Sequence, residues 1–134
     1  MKSKIMSLCA IIAISLCLFA CSSVPIQVSV DASYSGQQVE VAVGGSLIVT
    51  LESNGSTGFQ WSEPAEISDE TVLDQVGHGF EAPEDTGMVG ALGKEIWTFK
   101  ALKKGTSTIS MEHSRPRGSC TKAAETFDLT VVVT

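Results

Sequence analysis

Apolar residues recur at every second position over most of this chain, and no stretch has the sustained 3.6-residue period of an amphipathic helix. The alternating runs are separated by turn signals such as Ser33 to Gly36, Gly44-Gly45 and Lys103 to Gly105, as is typical of strands that bury one face. The pattern therefore predicts an all-β fold in which antiparallel sheets pack as a sandwich. The residues expected to face the core are Val24, Ile26, Val28, Val30, Val39, Val41, Val43, Leu47, Val49, Leu51, Trp61, Trp97, Phe99, Ile109, Met111, Phe127, Leu129, Val131 and Val133.

The first twenty residues depart from that pattern. Lys2 and Lys4 precede an apolar run from Ile5 to Ala20 that only Ser7 and Ser15 interrupt. A transmembrane helix is the alternative, but the run has about 16 residues where a span needs roughly 20. Basic residues followed by a short apolar run are typical of an export signal. We expect residues 1–20 to be a cleaved signal peptide and residues 24–134 to form one domain.

The end of the apolar run, Leu18-Phe19-Ala20-Cys21, resembles the bacterial lipobox, whose cysteine is lipidated. The resemblance implies that Cys21 carries the lipid and that residues 21–23 link it to the domain. Three acyl chains would hold the protein firmly, since two are already enough. Ser22 after the cysteine implies the outer membrane if the cell has one, and otherwise the outer face of the plasma membrane. The expected location is therefore the cell envelope.

The charge balance disfavours a nucleic-acid partner. The 134-residue chain has 9 Lys and Arg against 15 Asp and Glu, a net charge of −6, and loss of Lys2 and Lys4 would make it −8. Contact with phosphates needs a clustered basic face, which an acidic chain of this kind does not offer.

The four cysteines do not form a disulfide framework. Cys9 and Cys17 would leave with the signal peptide and Cys21 would carry lipid, so Cys120 alone remains. This count excludes an intrachain disulfide. A thiol without a role and an intermolecular disulfide both stay open for Cys120.

Residues suited to catalysis or metal binding are sparse. His78 and His113 are the only imidazole bases, and each is expected to be hydrogen-bonded or solvated. A zinc site would need three or four ligands at recognisable spacing. Acidic pairs such as Glu63 with Glu66 are interpreted as solvated loop charges. We expect no enzymatic activity, no metal and no cofactor.

Three connections do not look like ordinary turns, and they span residues 53–58, 79–93 and 114–121. Connections longer than about 12 to 15 residues are uncommon in a compact domain and are usually functional or disordered. In an antiparallel sandwich alternate connections lie at the same end, and these are every second connection. The sequence thus predicts three polar loops at one end, where they can contact a partner.

The same loops carry the motifs of a known family. Asn54-Gly55-Ser56-Thr57-Gly58-Phe59, followed by Trp61, resembles the N-P-T-T-G-Y/F-x-W segment of the chagasin family of cysteine-peptidase inhibitors. Gly90-Ala91-Leu92-Gly93 resembles that family's G-x-G-G segment, and Arg115-Pro116-Arg117 resembles its R-P-W segment. The three segments occur in family order over essentially the whole domain.

The resemblance implies an immunoglobulin-like sandwich and reversible, non-covalent inhibition of papain-like cysteine peptidases. The 54–59 loop would wedge into the active-site cleft with Thr57 near the catalytic thiol, and the 87–93 and 114–119 loops would flank it. A wedge that presents no carbonyl in line for attack is not cleaved, because attack needs near-ideal geometry.

Three residues depart from the family pattern. Gly55 replaces a proline and would lower the pre-organisation of the free loop. Leu92 replaces a glycine and would either clash with the enzyme or pack on it. Arg117 replaces a tryptophan that would be an interface hot spot, although a guanidinium can itself stack on an aromatic ring.

Other functions stay open at this point. An immunoglobulin-like envelope lipoprotein could use the same loops to bind a different protein or a glycan. An enzyme would have to rest on His113 near Cys120, without a third group to orient them. We expect a monomer. If the first two strands are joined by a hairpin at Ser33 to Gly36, the N-terminus lies at the end opposite the three loops.

Overall fold

The computed structural model describes residues 24–54, 58–83, 92–115 and 125–134. Within these ranges the chain forms nine strands and one turn of 3-10 helix, Ala32–Tyr34. The strands are β1 (Gln27–Val30), β2 (Gln37–Val41), β3 (Ser46–Ser53), β4 (Gln60–Trp61), β5 (Glu66–Ile67), β6 (Leu73–Glu81), β7 (Gly93–Ala101), β8 (Gly105–Ser114) and β9 (Glu125–Val133).

The strands form two sheets. One has the order β1-β3-β7-β6, and the other has the order β2-β9-β8-β4, with β5 also pairing with β8. Most neighbours are antiparallel, but β1 lies parallel to β3 and β2 lies parallel to β9. The predicted all-β sandwich is confirmed.

A continuous apolar core lies between the sheets, and the alternating positions of the strands supply it. Both tryptophans belong to it, with Trp61 6% and Trp97 0% exposed. Three of the expected core residues do not, since Ile26 is 74% and Val43 45% exposed, and the half-buried Val24 lies outside the core. Ile26 precedes β1 and Val43 lies in the turn after β2, so the alternation continues in the sequence beyond the ends of the strands.

The first two strands do not form a hairpin at Ser33 to Gly36. They belong to different sheets, and the 3-10 turn carries the chain from one sheet to the other. Asp31 caps this turn by accepting a hydrogen bond from the Ser33 N–H at 2.9 Å. The Ser33 hydroxyl, and then its N–H, hold the pKa of the Asp31 carboxyl below its ordinary value. Gly36, in the left-handed region at φ 80°, closes the crossover by donating its N–H to Asp128 O.

The start of β1 nevertheless lies where a hairpin would have placed it, at the end of the sandwich opposite the three long connections. The Ala42 N–H donates to Pro25 O, and the Gly44 N–H donates to Ala101 O. These bonds gather the start of β1, the end of β2 and the end of β7 at one end of the sandwich. The strands β3, β6 and β8 run away from that end, because each is antiparallel to a strand that finishes there.

Candidate functional site

The described ends of the three long connections lie together at the other end of the sandwich. Ser53, the last residue of β3, pairs with Gly93, the first residue of β7. Gln60, the first residue of β4, pairs with Ser114, the last residue of β8. The end of β6 and the start of β9 reach the same level. We call this set of strand ends the loop edge, and its members are Ser53, Asn54, Gly58, Phe59, Gln60, Glu81, Leu92, Gly93, Ser114, Arg115 and Glu125.

The loop edge holds each predicted binding residue that the structure describes. Gly58, Leu92 and Arg115 are exposed, whereas Gly93 is buried and the other two are half-buried. The six described residues are Asn54, Gly58, Phe59, Leu92, Gly93 and Arg115. The predicted residues outside the described ranges are Gly55, Ser56, Thr57, Gly90, Ala91, Pro116, Arg117 and the lipidation residue Cys21.

One hydrogen bond ties the two sheets together at the loop edge. The first connection leaves β3 in one sheet and enters β4 in the other. The Trp61 indole Nε1 donates to Glu52 O at 2.9 Å, so the strand after this connection is bonded to the strand before it. Gly58, at φ 75°, has a left-handed backbone conformation that favours glycine at the point where the chain returns to β4.

A polar network lies under the same edge. The Ser53 hydroxyl donates to Glu95 Oε1 at 2.7 Å, and Glu95 Oε2 lies 3.0 Å from His78 Nε2. His78 Nδ1 lies 3.6 Å from Glu63 Oε2, which also accepts from Trp97 Nε1 at 3.1 Å. Burying a carboxylate is costly unless it is hydrogen-bonded, so the buried Glu95 depends on these partners. The network connects the ends of β3, β6 and β7 to the segment that follows β4.

Two of these residues can be compared with the sequence predictions. The expectation that His78 is hydrogen-bonded or solvated is confirmed by its contact with Glu95. Glu63, interpreted as a solvated loop charge, is 43% exposed, but its carboxylate also accepts from Trp97 Nε1 and from Gln75 Nε2 at 3.0 Å. A tryptophan in a core needs an acceptor for its N–H, and Glu63 supplies one from a connection 34 residues away in sequence.

Four side chains form an aromatic cluster on the loop edge. His113 pairs with Trp61 across β4 and β8, and their ring centroids lie 4.8 Å apart with 21° between the planes. The Phe59 ring centroid lies 5.5 Å from that of His113, and the Arg115 guanidinium carbon lies 4.7 Å from the Phe59 centroid. The cluster (Phe59, Trp61, His113 and Arg115) therefore joins the end of the first connection to the start of the third.

The expectation that His113 is hydrogen-bonded or solvated is wrong for one of its ring nitrogens. Nε2 is buried and has no hydrogen-bond partner among the described residues, so it is neither hydrogen-bonded there nor solvated. The sequence did contain a signal for this environment. Ile109, Met111 and His113 alternate along β8, which places the histidine on the face that the two buried apolar residues share.

A groove of about 450 Å³ opens between β4 and β6, beside the loop edge. Phe59, Trp61 and Phe80 line it together with the carboxylates of the polar network. Phe80 is 58% exposed, and its ring lies against the backbone of Gly93. The groove thus offers apolar and acidic surface next to the candidate binding residues.

Neither a metal site nor a membrane-spanning helix is found in the part of the chain that the structure describes. No group of three or more His, Cys, Asp or Glu residues there could hold a metal ion. No helix in the same ranges has the length and hydropathy needed to cross a bilayer.

Comparison with known proteins gives the family. The sequence model of the chagasin family peptidase inhibitor I42 matches residues 40–131, which is well over half of the chain and includes all three motif segments. The chain belongs to the chagasin family. Because this is a family of peptidase inhibitors, the assignment confirms the prediction that the chain is not an enzyme. No curated protein sequence matches the chain.

Solved structures support the fold of this chagasin-family chain. The crystal structure of the cysteine protease inhibitor EhICP2 from Entamoeba histolytica is similar with a TM-score of 0.72 at 22% identity, covering 81% of this chain and 96% of that one. The solution structure of amebosin has a TM-score of 0.63 at 21% identity, covering 81% and 98%. PbICP-C, in complex with falcipain-2, has a TM-score of 0.52 at 21% identity, covering 84% and 93%.

Gly93, the last residue of the family's second motif, is expected to be intolerant of a side chain. A Cβ there would lie 2.5 Å from Phe80 Cζ and 2.9 Å from Glu81 O, and the second atom belongs to the backbone and cannot swing away. We predict that Gly93→Ala lowers the free energy of unfolding by about 1–3 kcal/mol. Gly79→Ala is the matched control, since a Cβ at Gly79 meets nothing within 4 Å, and we expect it to raise stability by roughly 0.5–1 kcal/mol. Denaturant unfolding of both variants checks the prediction, and equal stabilities would contradict it.

Proposed function

We propose that this chagasin-family protein is a reversible, non-covalent inhibitor of papain-like cysteine peptidases. The observation that carries the proposal is the loop edge, where the described ends of the three family segments lie together. One of the similar structures is that of a cysteine protease inhibitor, and another is of PbICP-C in complex with falcipain-2. The proposal extends the activity of such inhibitors to this chain on the basis of its family and of its own loop edge.

The contacts beneath the loop edge favour tight binding. Association costs free energy whenever loops must be ordered, so loops that start from fixed ends lose less. Here the first connection is held at both ends, by the Trp61 to Glu52 bond and by the bond from Ser53 to Glu95. Peptidase inhibitors of ordinary interface size can bind tightly when they are pre-organised in this way.

Each segment has a separate role in the proposed complex. The 54–59 loop fills the cleft with Thr57 nearest the catalytic thiol, and Asn54 and Gly58 shape the turn that holds it. The 87–93 and 114–119 loops contact the two walls of the cleft. Leu92, which is 49% exposed, and the exposed Arg115 are the described side chains available for those contacts.

The role of Thr57 leads to a direct prediction. The full chain, purified in mild detergent, is expected to inhibit papain. A long charged side chain at the wedge would block entry to the cleft, so we expect Thr57→Arg to raise the inhibition constant by at least roughly thirtyfold, as for an interface hot spot. The melting temperature is expected to stay unchanged.

Thr106→Arg is the matched control, because Thr106 is exposed on β8 at the end opposite the loop edge. Its inhibition constant is expected to equal that of the wild type. Equal inhibition by the Thr57 variant would reject the wedge assignment. A wild-type chain that inhibits no papain-like enzyme, but captures another envelope protein or a glycan through its loops, would support the alternative binding function instead.

We also propose that Cys21 is lipidated and anchors the protein to the cell envelope. Support comes from the lipobox-like segment that ends at Cys21 and from the signal-like run before it. The start of β1 lies at the end of the sandwich opposite the loop edge. Residues 22 and 23 span only about 7 Å at full extension, so an anchor at Cys21 would hold that end near the lipid and direct the loops away from it.

Flotation with vesicles and an inhibition assay test this arrangement. Wild-type chain isolated from membranes and added to preformed phospholipid vesicles is expected to float with them and to inhibit papain within about twofold of its potency in detergent. Cys21→Ser is expected to incorporate no labelled fatty acid, whereas the control Cys120→Ser behaves like the wild type. Labelling of the Cys21 variant would contradict lipidation, and loss of inhibition on vesicles would contradict the orientation.

A further inference from the structure

The strand that carries the chain back from the first connection is short. β4 has two residues, and its register with β8 consists of the pairs Gln60 with Ser114 and Trp61 with His113. The next residue extends the contact, since the Ser62 N–H donates to Glu112 O and the Ser62 Oγ accepts from the Glu112 N–H, both at 2.9 Å. Side-chain contacts add to these few bonds in deciding how β4 lies on β8. The aromatic cluster supplies those contacts on the side of the loop edge.

His113 is the central member of the cluster. It contacts Trp61 with nearly parallel rings and Phe59 with tilted rings, and Phe59 in turn lies under the Arg115 guanidinium. Both ring arrangements lie in the distance range of favourable aromatic pairs, and the guanidinium lies in the range of a cation–π contact. The imidazole thus links a residue of the first motif to a residue of the third.

The chemistry of the imidazole indicates what it contributes. Its Nε2 is buried without a hydrogen-bond partner among the described residues, and such an atom costs stability and adds no specificity. The ring therefore acts through its flat apolar faces. A phenylalanine side chain in place of His113 would keep the flat apolar faces and remove the unpaired nitrogen.

We propose that His113 is a positioning residue for peptidase binding. Its ring holds Phe59, and through Phe59 it holds the Arg115 guanidinium, in the orientation that the first and third loops present to the enzyme. This inference rests on the proposed inhibitory function, and it adds a half-buried residue outside the three motif segments to those on which potency depends.

Three substitutions in the full chain separate positioning from general stability. His113→Ala removes both ring contacts, and we expect it to raise the inhibition constant for papain about tenfold, the effect of losing roughly 1.4 kcal/mol of aromatic contact. His113→Phe is expected to inhibit within twofold of the wild type and to melt at the same or a higher temperature. Ile109→Val lies on the same strand in the core, and it is expected to lower the melting temperature without changing the inhibition constant.

A double-mutant comparison tests whether His113 acts through Arg115. Arg115→Ala alone is expected to weaken inhibition. If His113 works by orienting Arg115, replacing His113 by alanine in that background weakens inhibition by clearly less than tenfold. Fully independent effects of the two changes would overturn the route through Arg115.

Other outcomes would overturn the positioning role itself. These are an unchanged inhibition constant for His113→Ala, a loss with His113→Phe as large as with alanine, and an equal loss with Ile109→Val. If the wild type inhibits no papain-like peptidase, the proposed function fails, and amide exchange then decides only whether the His113 ring holds Phe59 in place. Exchange at Gly58 and Phe59 that is faster in His113→Ala and normal in His113→Phe supports it, and unchanged exchange in both overturns it.

Discussion

The hydrogen bond from the Trp61 indole to the Glu52 carbonyl joins the two sheets where the chain passes from one to the other. A bond of this kind contributes about 1 kcal/mol, but its position matters more than its strength. The bond connects the two-residue strand β4 to the long strand β3, which is held in the other sheet by its pairing with β7. The ends of the first connection are therefore set by the core of the sandwich.

The polar network extends this control to the second connection. Glu95 bonds the end of β3 and also contacts His78 of β6, so one buried carboxylate links strands on both sides of β7. Removing any single partner would leave a charge buried with too few hydrogen bonds, which is far more costly than losing an exposed ion pair. The positions of these strand ends are for that reason coupled to one another. The aromatic cluster does the same for the first and third connections with apolar contacts.

Much of the fold could be predicted from the two-residue period, because burial of one face imposes that period on any strand. It correctly places Leu47, Trp97 and Phe127 in the core. The period does not tell which strand lies beside which, so it could not show that β1 and β2 belong to different sheets. It also failed for Ile26 and Val43, where the alternation continues past the ends of the strands.

The sequence was enough to predict which strand ends meet at the loop edge, but not the side-chain contacts that lie beneath them. The motif order and the alternation of connections were enough to expect Asn54, Gly93 and Arg115 at one end, because antiparallel strands return every second connection to the same side. Glu63 could not be assigned, since its partner Trp97 lies on another sheet and far along the chain. His113 could have been found, because it shares the inward face of β8, but a polar residue near a strand end is usually solvated.

The central claim is that the loop edge, and no other surface, meets a papain-like peptidase. Amide hydrogen exchange of the full chain tests it, measured alone and with an excess of a papain-like enzyme whose catalytic cysteine has been replaced by alanine. The account predicts slower exchange in the complex at Asn54, Gly58, Leu92 and Arg115, and no change in the turns around Gly44 and Lys103 at the opposite end. Protection confined to those turns or to the outer face of a sheet would contradict it.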